Sequence, residues 1–201
     1  MYRLPKAIQK LADELAELPS IGPRQAIRLA IHLVNSGQNK VRILAQSIDD
    51  LKNIKLCERC FFVHQNKNSL CDICGDASRR KDIVAVVEKE TDLLSLENAK
   101  GFTGRYLVLG DIPKAGLLED RQKLRLQNLK SFIEKECGGK AAEIIIALNP
   151  TSIGDFHASM ITKELAPYAK KISRLGRGLP TGGEIEFADS ETLGSALERR
   201  S

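Results

Sequence analysis

Hydrophobic residues recur every three or four positions over the first quarter of the chain, which is the spacing of amphipathic helices. Three such stretches begin near Ile8, Ala26 and Val41. Pro23 suits the first turn of the second helix, because the N–H that proline lacks has no helical partner there. The pattern predicts a segment of three helices over residues 1–55.

After residue 80 the hydrophobic residues instead form short continuous runs, as in strands that are buried on both faces of a sheet. Helical spacing appears between two of these runs and again after the third. Strands that alternate with helices are typical of a mostly parallel α/β sheet. We predict strands at 83–87, 106–109, 144–148 and 171–175, with helices around 124–133 and over 158–165.

The last part of the chain is less regular. Polar and apolar residues alternate over 184–187, which predicts an edge strand, and a short helix is expected near 192–199. The chain as a whole is therefore predicted to be an α+β protein of several parts. These are a helical segment at 1–55, a cysteine knuckle at 56–76, an α/β domain at 81–177 and a strand-and-helix tail at 178–201.

Four cysteines form two Cys-x-x-Cys pairs that are separated by ten residues: Cys57, Cys60, Cys71 and Cys74. Each pair lets two thiolates of one turn converge on one ion, and four soft ligands suit tetrahedral zinc. Since all four ligands would be protein sulfur, the site would be closed. A closed site favours one structural zinc ion over a catalytic ion, which needs an open position.

The alternative is two buried or disulfide-bonded cysteine pairs. The N-terminal residues show no signal-peptide pattern, and no apolar run approaches the length needed to cross a bilayer. We therefore expect a cytoplasmic protein without a membrane partner. Disulfides are rare in the cytoplasm, which favours metal ligation over disulfide formation.

The charge of the chain is positive and uneven. The formal net charge is +5 at pH 7, and residues 1–55 hold nine lysines and arginines against five acids. A basic segment favours a polyanionic partner such as DNA. Aromatic residues make up only 4% of the chain and tryptophan is absent, which disfavours a base-stacking surface. Contacts with the phosphate backbone are the expected mode of binding.

The segment Leu18-Pro19-Ser20-Ile21-Gly22-Pro23-Arg24 connects the first two predicted helices. We expect a tight turn in which Gly22 is free to adopt a positive φ and which leads into a helix N-terminus, where unpaired N–H groups favour a phosphate oxygen. Arg24 and Arg28, one turn apart, would stand beside that site. The alternative is an ordinary helix connection with solvated arginines. The segment resembles the helix–hairpin–helix motif of DNA repair proteins, in which Gly is common where Ser20 stands.

Two carboxylates follow predicted strands: Glu88 ends the first, and Asp155 lies in the loop after the third. Functional groups gather at this edge of a parallel sheet. The arrangement resembles the Toprim domain of topoisomerases and primases, whose acids hold Mg²⁺ through oxygen ligands. Because Ile153 stands where a further acid is usual, the resemblance implies only a weak Mg²⁺ site at Glu88 and Asp155. We expect a binding and assembly module that is not an enzyme.

The order of these parts resembles the RecR family of bacterial recombination mediators over essentially the whole chain. Besides the hairpin and the cysteine pairs, the matching strings are 86–88, 104–110, 149–151, 178–186 and 189–193. The resemblance implies a DNA-binding protein of recombinational DNA repair that forms a ring-shaped homotetramer. It also implies that the protein acts with RecO, and with RecF where present, to load recombinase on gapped DNA. Arg24 and Arg28 match the family's DNA-contacting positions.

Two alternative functions are kept. One is a Mg²⁺-dependent Toprim nuclease or primase-like enzyme that uses Glu88 and Asp155. The other is a structural adaptor whose basic charge is incidental. Under the preferred hypothesis the zinc is a brace that fixes the helical segment to the α/β domain, because the knuckle has only two cations of its own between the outer cysteines, Arg59 and Lys67.

Overall fold

The computed structural model describes residues 4–114, 116–198 and 200, and the chain divides into two compact units, Met1–Ile54 and Lys55–Ser201. Three helices form the first unit, as predicted. Small side chains let the first two helices pack closely, since Ala12, Ala26 and Ala30 are buried between them. The elements are α1 (Lys6–Ala16), α2 (Pro23–Asn35), α3 (Gln38–Asp49) and a 3-10 helix (Asp50–Asn53).

The second unit begins with the cysteine knuckle. A two-residue strand, β1 (Lys55–Leu56), pairs antiparallel with β2 (Val63–His64). A single helical turn, α4 (Asp72–Gly75), follows and carries the last cysteine. The knuckle therefore consists of a short ribbon and one turn, which together hold the two cysteine pairs.

An entirely parallel four-stranded sheet follows, and it confirms the predicted fold class. The strand order is β4-β3-β5-β6, with β3 in register against both β4 and β5. The strands are β3 (Ile83–Val87), β4 (Arg105–Val108), β5 (Glu143–Ala147) and β6 (Ile172–Arg174). The helices are α5 (Glu90–Asn98), α6 (Asp120–Glu136), α7 (Ser152–Leu165), a 3-10 helix (Ala166–Tyr168) and α8 (Ser190–Glu198).

The continuous apolar runs are explained by cores on both faces of the sheet. On one face, Val84 and Val86 pack with α6 and α7 residues such as Leu126 and Ile161. On the other face, Ala85 and Val87 belong to a second core with residues of α5. Successive side chains of a strand point to opposite faces, so β3, which has a core on each side, is apolar at every position.

One strand prediction is wrong. Residues 184–187 do not form an edge strand; the structure has a 3-10 helix at Ile185–Phe187 instead. The Phe187 and Ala188 amides donate to carbonyls three residues earlier, so the backbone is satisfied locally and no neighbouring strand is needed. The alternating pattern misleads because its apolar members are not buried in this chain: 79% of Phe187 is exposed.

The helix bounds differ from the prediction at two places. Helix α7 begins at Ser152, six residues before the predicted start, because the Thr151 hydroxyl caps the Gly154 amide at 3.1 Å. Helix α5 was not predicted, since only Leu93 of its residues is fully buried and the apolar face is weak. The predicted end of the last helix, Arg199, lies outside the described residues.

Candidate metal centre and nucleic-acid interface

The four cysteines of the knuckle come together in the structure. Their sulfur atoms all lie within 4.8 Å of one another, and Cys60 Sγ is 3.5 Å from Cys71 Sγ. All four side chains are buried, and none forms a disulfide. Sequence spacing predicted this convergence, and the geometry is that of a site for one ion held by four sulfurs.

Each cysteine pair is held by a turn of the backbone. In the first, the Phe61 amide donates to the Cys57 carbonyl at 2.9 Å; in the second, the Gly75 amide donates to the Cys71 carbonyl at 2.8 Å. Phe61 has a φ of 62°, a left-handed conformation that costs a non-glycine residue roughly 1–2 kcal/mol. Its ring packs on the sheet core and lies 4.9 Å from the Arg125 guanidinium carbon, which offsets that cost.

The donor set fits a soft divalent cation. Hydrogen bonds from Cys60, Cys71 and Cys74 hold the pKa of the Cys57 thiol well below its ordinary value, while hydrogen bonding to Cys57 and burial raise that of Cys60. Four buried sulfurs this close together are unfavourable as thiolates on their own, whereas one divalent cation would stabilise all four. Zinc has this preference for four sulfur ligands.

His64 is not needed in this set. Its Nδ1 accepts a hydrogen bond from the Asn66 amide at 3.1 Å, which shapes the turn inside the knuckle.

Sequence reasoning missed Arg105, which lies on β4 beneath the knuckle. Its Nη1 donates to the Cys74 carbonyl at 2.8 Å, and only 3% of the residue is exposed. The string Gly104-Arg105-Tyr106 contained the residue, but nothing in the local pattern indicates that a strand arginine contacts a carbonyl 31 positions earlier.

The hairpin between α1 and α2 differs from the prediction in one detail. Gly22 caps α2 with a φ of −81°, and the positive φ falls on Ser20, at 66°. The Ile21 amide donates to the Leu18 carbonyl, which closes a turn with Pro19 second and Ser20 third. A type II turn has this arrangement and requires a positive φ at its third residue, a position that glycine would occupy without strain.

The N-terminus of α2 is open and positively charged. Pro23 occupies its first turn, and no side chain caps the helix. Arg24 and Arg28 are both exposed, and together with Gly22 they line a shallow depression. Among the described residues, neither guanidinium forms an ion pair with a carboxylate. Free amides at the positive end of a helix dipole, beside two guanidinium groups, form a favourable site for a phosphate oxygen.

The two acids of the sheet have different partners. Glu88 is almost fully buried at the end of β3, where its carboxylate accepts from Asn149 Nδ2 at 3.3 Å and from the Ile112 amide at 3.5 Å. Asp155 lies in the first turn of α7 and forms ion pairs with Arg174 and Arg177. Hydrogen bonds from these two arginines hold the pKa of the Asp155 carboxyl below its ordinary value.

Three family models match successive parts of the chain. The family models described as "RecR, helix-hairpin-helix", "Toprim domain" and "RecR, C-terminal" match residues 8–52, 82–176 and 178–201. "Recombination protein RecR" of Chloroflexus aggregans is 39% identical over 99% of this chain and 95% of that protein. This chain belongs to the RecR family. RecR proteins of Roseiflexus castenholzii and Frankia casuarinae share 40% and 38% identity, over 98% and 96% of this chain and 94% and 95% of theirs.

Family membership gives this RecR-type chain a role in recombination. The four-part domain boundaries and the individual DNA and Mg²⁺ residues stay predictions. In the part of the chain that the structure describes, no helix has both the length and the apolar character to cross a bilayer.

Ser20→Gly tests the geometry of the hairpin. The change removes the cost of about 1–2 kcal/mol that a non-glycine residue incurs in the left-handed conformation. It also gives the unfolded chain more conformational entropy, which lowers stability by about 0.4–1 kcal/mol. We expect the free energy of unfolding to rise by about 0.5 kcal/mol in urea denaturation. Ser47→Gly, in the last turn of the right-handed helix α3, is the control and should lower stability by about 0.5 kcal/mol. A loss of stability in Ser20→Gly would contradict the turn described here.

Proposed function

We propose that this protein binds DNA without sequence preference and acts as a recombination mediator in recombinational DNA repair. The observation that carries the proposal is the open N-terminus of α2 with Arg24 and Arg28 exposed beside it. Backbone amides and guanidinium groups bind phosphate but do not read bases, so the contact positions the protein without selecting a sequence. Membership of the RecR family supports the role in recombination.

The exposed arginines favour DNA binding over an incidental basic charge. Some surface arginines of this chain are engaged by a carboxylate, as Arg80 is by Asp82 at 2.7 Å. Arg24 and Arg28 have no such partner among the described residues, and they share one face of α2. A partner phosphate would satisfy both, and release of condensed counterions from DNA would drive the association.

Replacing Arg24 and Arg28 together by Ala should weaken DNA binding about 10- to 100-fold at about 0.1 M salt, because two phosphate contacts are lost. The slope of log affinity against log salt should become shallower by about 2. Fluorescence anisotropy with a labelled duplex at several salt concentrations measures both.

The matched control is Lys6→Ala with Lys10→Ala. These two lysines are also exposed and four residues apart on one helix of the same unit, so the change of net charge is equal. The control should keep most of the affinity. An equal loss in both variants would mean that net charge alone determines binding, and unchanged binding without Arg24 and Arg28 would exclude the hairpin.

We further infer that the cysteine site holds one zinc ion with a structural role. Four buried sulfurs leave no open position for substrate, and a catalytic zinc needs one. Within the second unit the knuckle contacts the sheet core, since Phe62 and Ile73 pack both on the cysteines and on the core around Val87. The expected brace between the helical segment and the α/β domain stays a prediction.

Cys57→Ser should lose most of the bound zinc and lower the free energy of unfolding by about 3 kcal/mol or more, because metal binding contributes directly to folding. Zinc content by atomic emission and thermal unfolding measure the two effects. Cys137→Ser is the control, since Cys137 lies outside the cluster and contacts the Lys81 carbonyl. A Cys57→Ser protein with normal zinc content and melting temperature would refute the assignment.

We propose that the protein is not an enzyme. A Toprim enzyme would need Glu88 and Asp155 free to bind Mg²⁺ through oxygen. The ion pairs of Asp155 with Arg174 and Arg177 weigh against this, because a metal would have to displace two cations from one carboxylate. Ile153, 40% exposed, also brings no oxygen ligand.

The enzyme alternative is tested by incubating labelled DNA with the protein and Mg²⁺ or Mn²⁺. We expect neither cleavage nor primer synthesis, and no difference between the unaltered protein and Glu88→Gln. Activity in the unaltered protein that Glu88→Gln abolishes would establish the Toprim enzyme instead.

We propose finally that the protein assembles as a ring-like homotetramer in the cytoplasm and acts with RecO, and with RecF where present. Apolar side chains exposed on α3 and on the 3-10 helix after it support self-assembly, because such a concentration is uncommon on a monomer. They are Val41, Ile43, Leu44, Ile48 and Leu51. The partnership with RecO and RecF rests on the family resemblance alone.

A further inference from the structure

The knuckle is joined to one strand of the sheet through the last cysteine of each pair. The Cys60 carbonyl accepts a hydrogen bond from the Val108 amide at 2.9 Å. The Cys74 carbonyl accepts from Arg105 Nη1 at 2.8 Å. Both donors belong to β4, which is at the edge of the sheet. One edge strand therefore holds both halves of the cysteine site.

Arg105 is an unusual residue for this position. It is 97% buried, its hydrogen bonds go to the Cys74 and Asp76 carbonyls, and its Nε has no partner. Among the described residues it forms no ion pair with a carboxylate. A buried cation is unfavourable by several kcal/mol unless a nearby negative charge compensates it.

The cysteine site would add to the negative charge that the Asp76 and Glu136 carboxylates place around Arg105 without pairing with it. Four thiolates around one divalent cation retain a net negative charge, which is itself unfavourable in a buried place. The carbonyl that Arg105 contacts belongs to a ligand residue, so the cation lies next to the metal ligands. Arg59 adds a second, partly buried cation whose Nη1 is 3.5 Å from the same carbonyl.

We propose that Arg105 is a positioning residue of the metal centre. Its guanidinium fixes the second cysteine pair on β4 and balances the charge of the metal-bound thiolates. The inference rests on the proposed zinc site. It adds that metal binding and the β4 edge stabilise each other, because a ligand that requires a folded site also stabilises that fold.

Metal affinity of Arg105 variants tests this inference. Outer-shell partners of metal ligands typically contribute 10- to 100-fold in affinity, and we expect a loss in that range for Arg105→Gln. Arg105→Lys keeps the charge but lacks the planar pair of donors, so a smaller loss of about three- to tenfold is expected. The affinity is measured by competition for zinc with a chromophoric chelator.

Arg79→Gln is the matched control. Arg79 is also largely buried and donates to the Gly104 carbonyl beside β4, but its ion pair is with Glu97 and not with the knuckle. This variant should lose stability and keep its zinc affinity within about threefold of the unaltered protein. Equal losses in Arg79→Gln and Arg105→Gln would overturn the inference, as would unaltered affinity in the Arg105 variants. If Arg105→Gln does not fold, the zinc affinity of Arg105→Lys tests the inference instead.

Hydrogen exchange of the unaltered protein gives a second readout. Removal of zinc by a chelator should accelerate exchange at the Val108 amide, which the Cys60 carbonyl protects, far more than at Ile146 in the middle of the sheet. Unchanged Val108 exchange would overturn the coupling. An unaltered protein that binds no zinc would refute the proposed zinc site and this inference together, whereas normal zinc binding in Arg105→Gln would refute the inference alone.

Discussion

The cysteine knuckle and the edge strand β4 stabilise each other, and the architecture of the second unit depends on this contact. A segment of about twenty residues has too little core to fold alone without a metal or another staple. An uncovered edge strand presents unpaired N–H and C=O groups to other chains. Here the Cys60 and Cys74 carbonyls meet the donors of β4, and Phe62 and Ile73 connect the cysteine cluster with the sheet core. The same contacts therefore give the knuckle a core to pack on and give the donors of the edge strand hydrogen-bond partners.

The DNA-binding and the enzymatic proposals differ in which charged side chains must be free to bind a ligand. Arg174 and Arg177 are engaged by Asp155, so neither these arginines nor that carboxylate is free for another partner. Arg24 and Arg28 are exposed beside an uncapped helix end. A phosphate oxygen at that end would meet unpaired amides, a favourable dipole and two guanidinium groups. The distribution of free and paired charges thus favours the first unit for DNA contact and a structural role for the acids of the sheet.

The sequence predicted β3, β4 and β5 well because each is largely a continuous apolar run with a core on both faces, and burial leaves a clear pattern. It predicted the cysteine cluster because ligand spacing is a local property of the backbone. It failed at 184–187, where the alternation of polar and apolar residues is present but the apolar residues are exposed. It also missed α5, because the segment buries little more than Leu93 and so has almost no helical period.

The two site details that the sequence did not reveal have different physical origins. The positive φ was expected at Gly22 because glycine adopts it most easily, but the position of Pro19 sets the register of the turn and assigns it to Ser20. The position of Pro19 alone is therefore enough to assign the positive φ to Ser20. Arg105 was not predictable in this way, since its partners are carbonyls 29 and 31 residues away and carry no side-chain signal. Ligands can be read from their spacing, whereas the groups that hold and neutralise them are identified only when the fold brings distant backbone together.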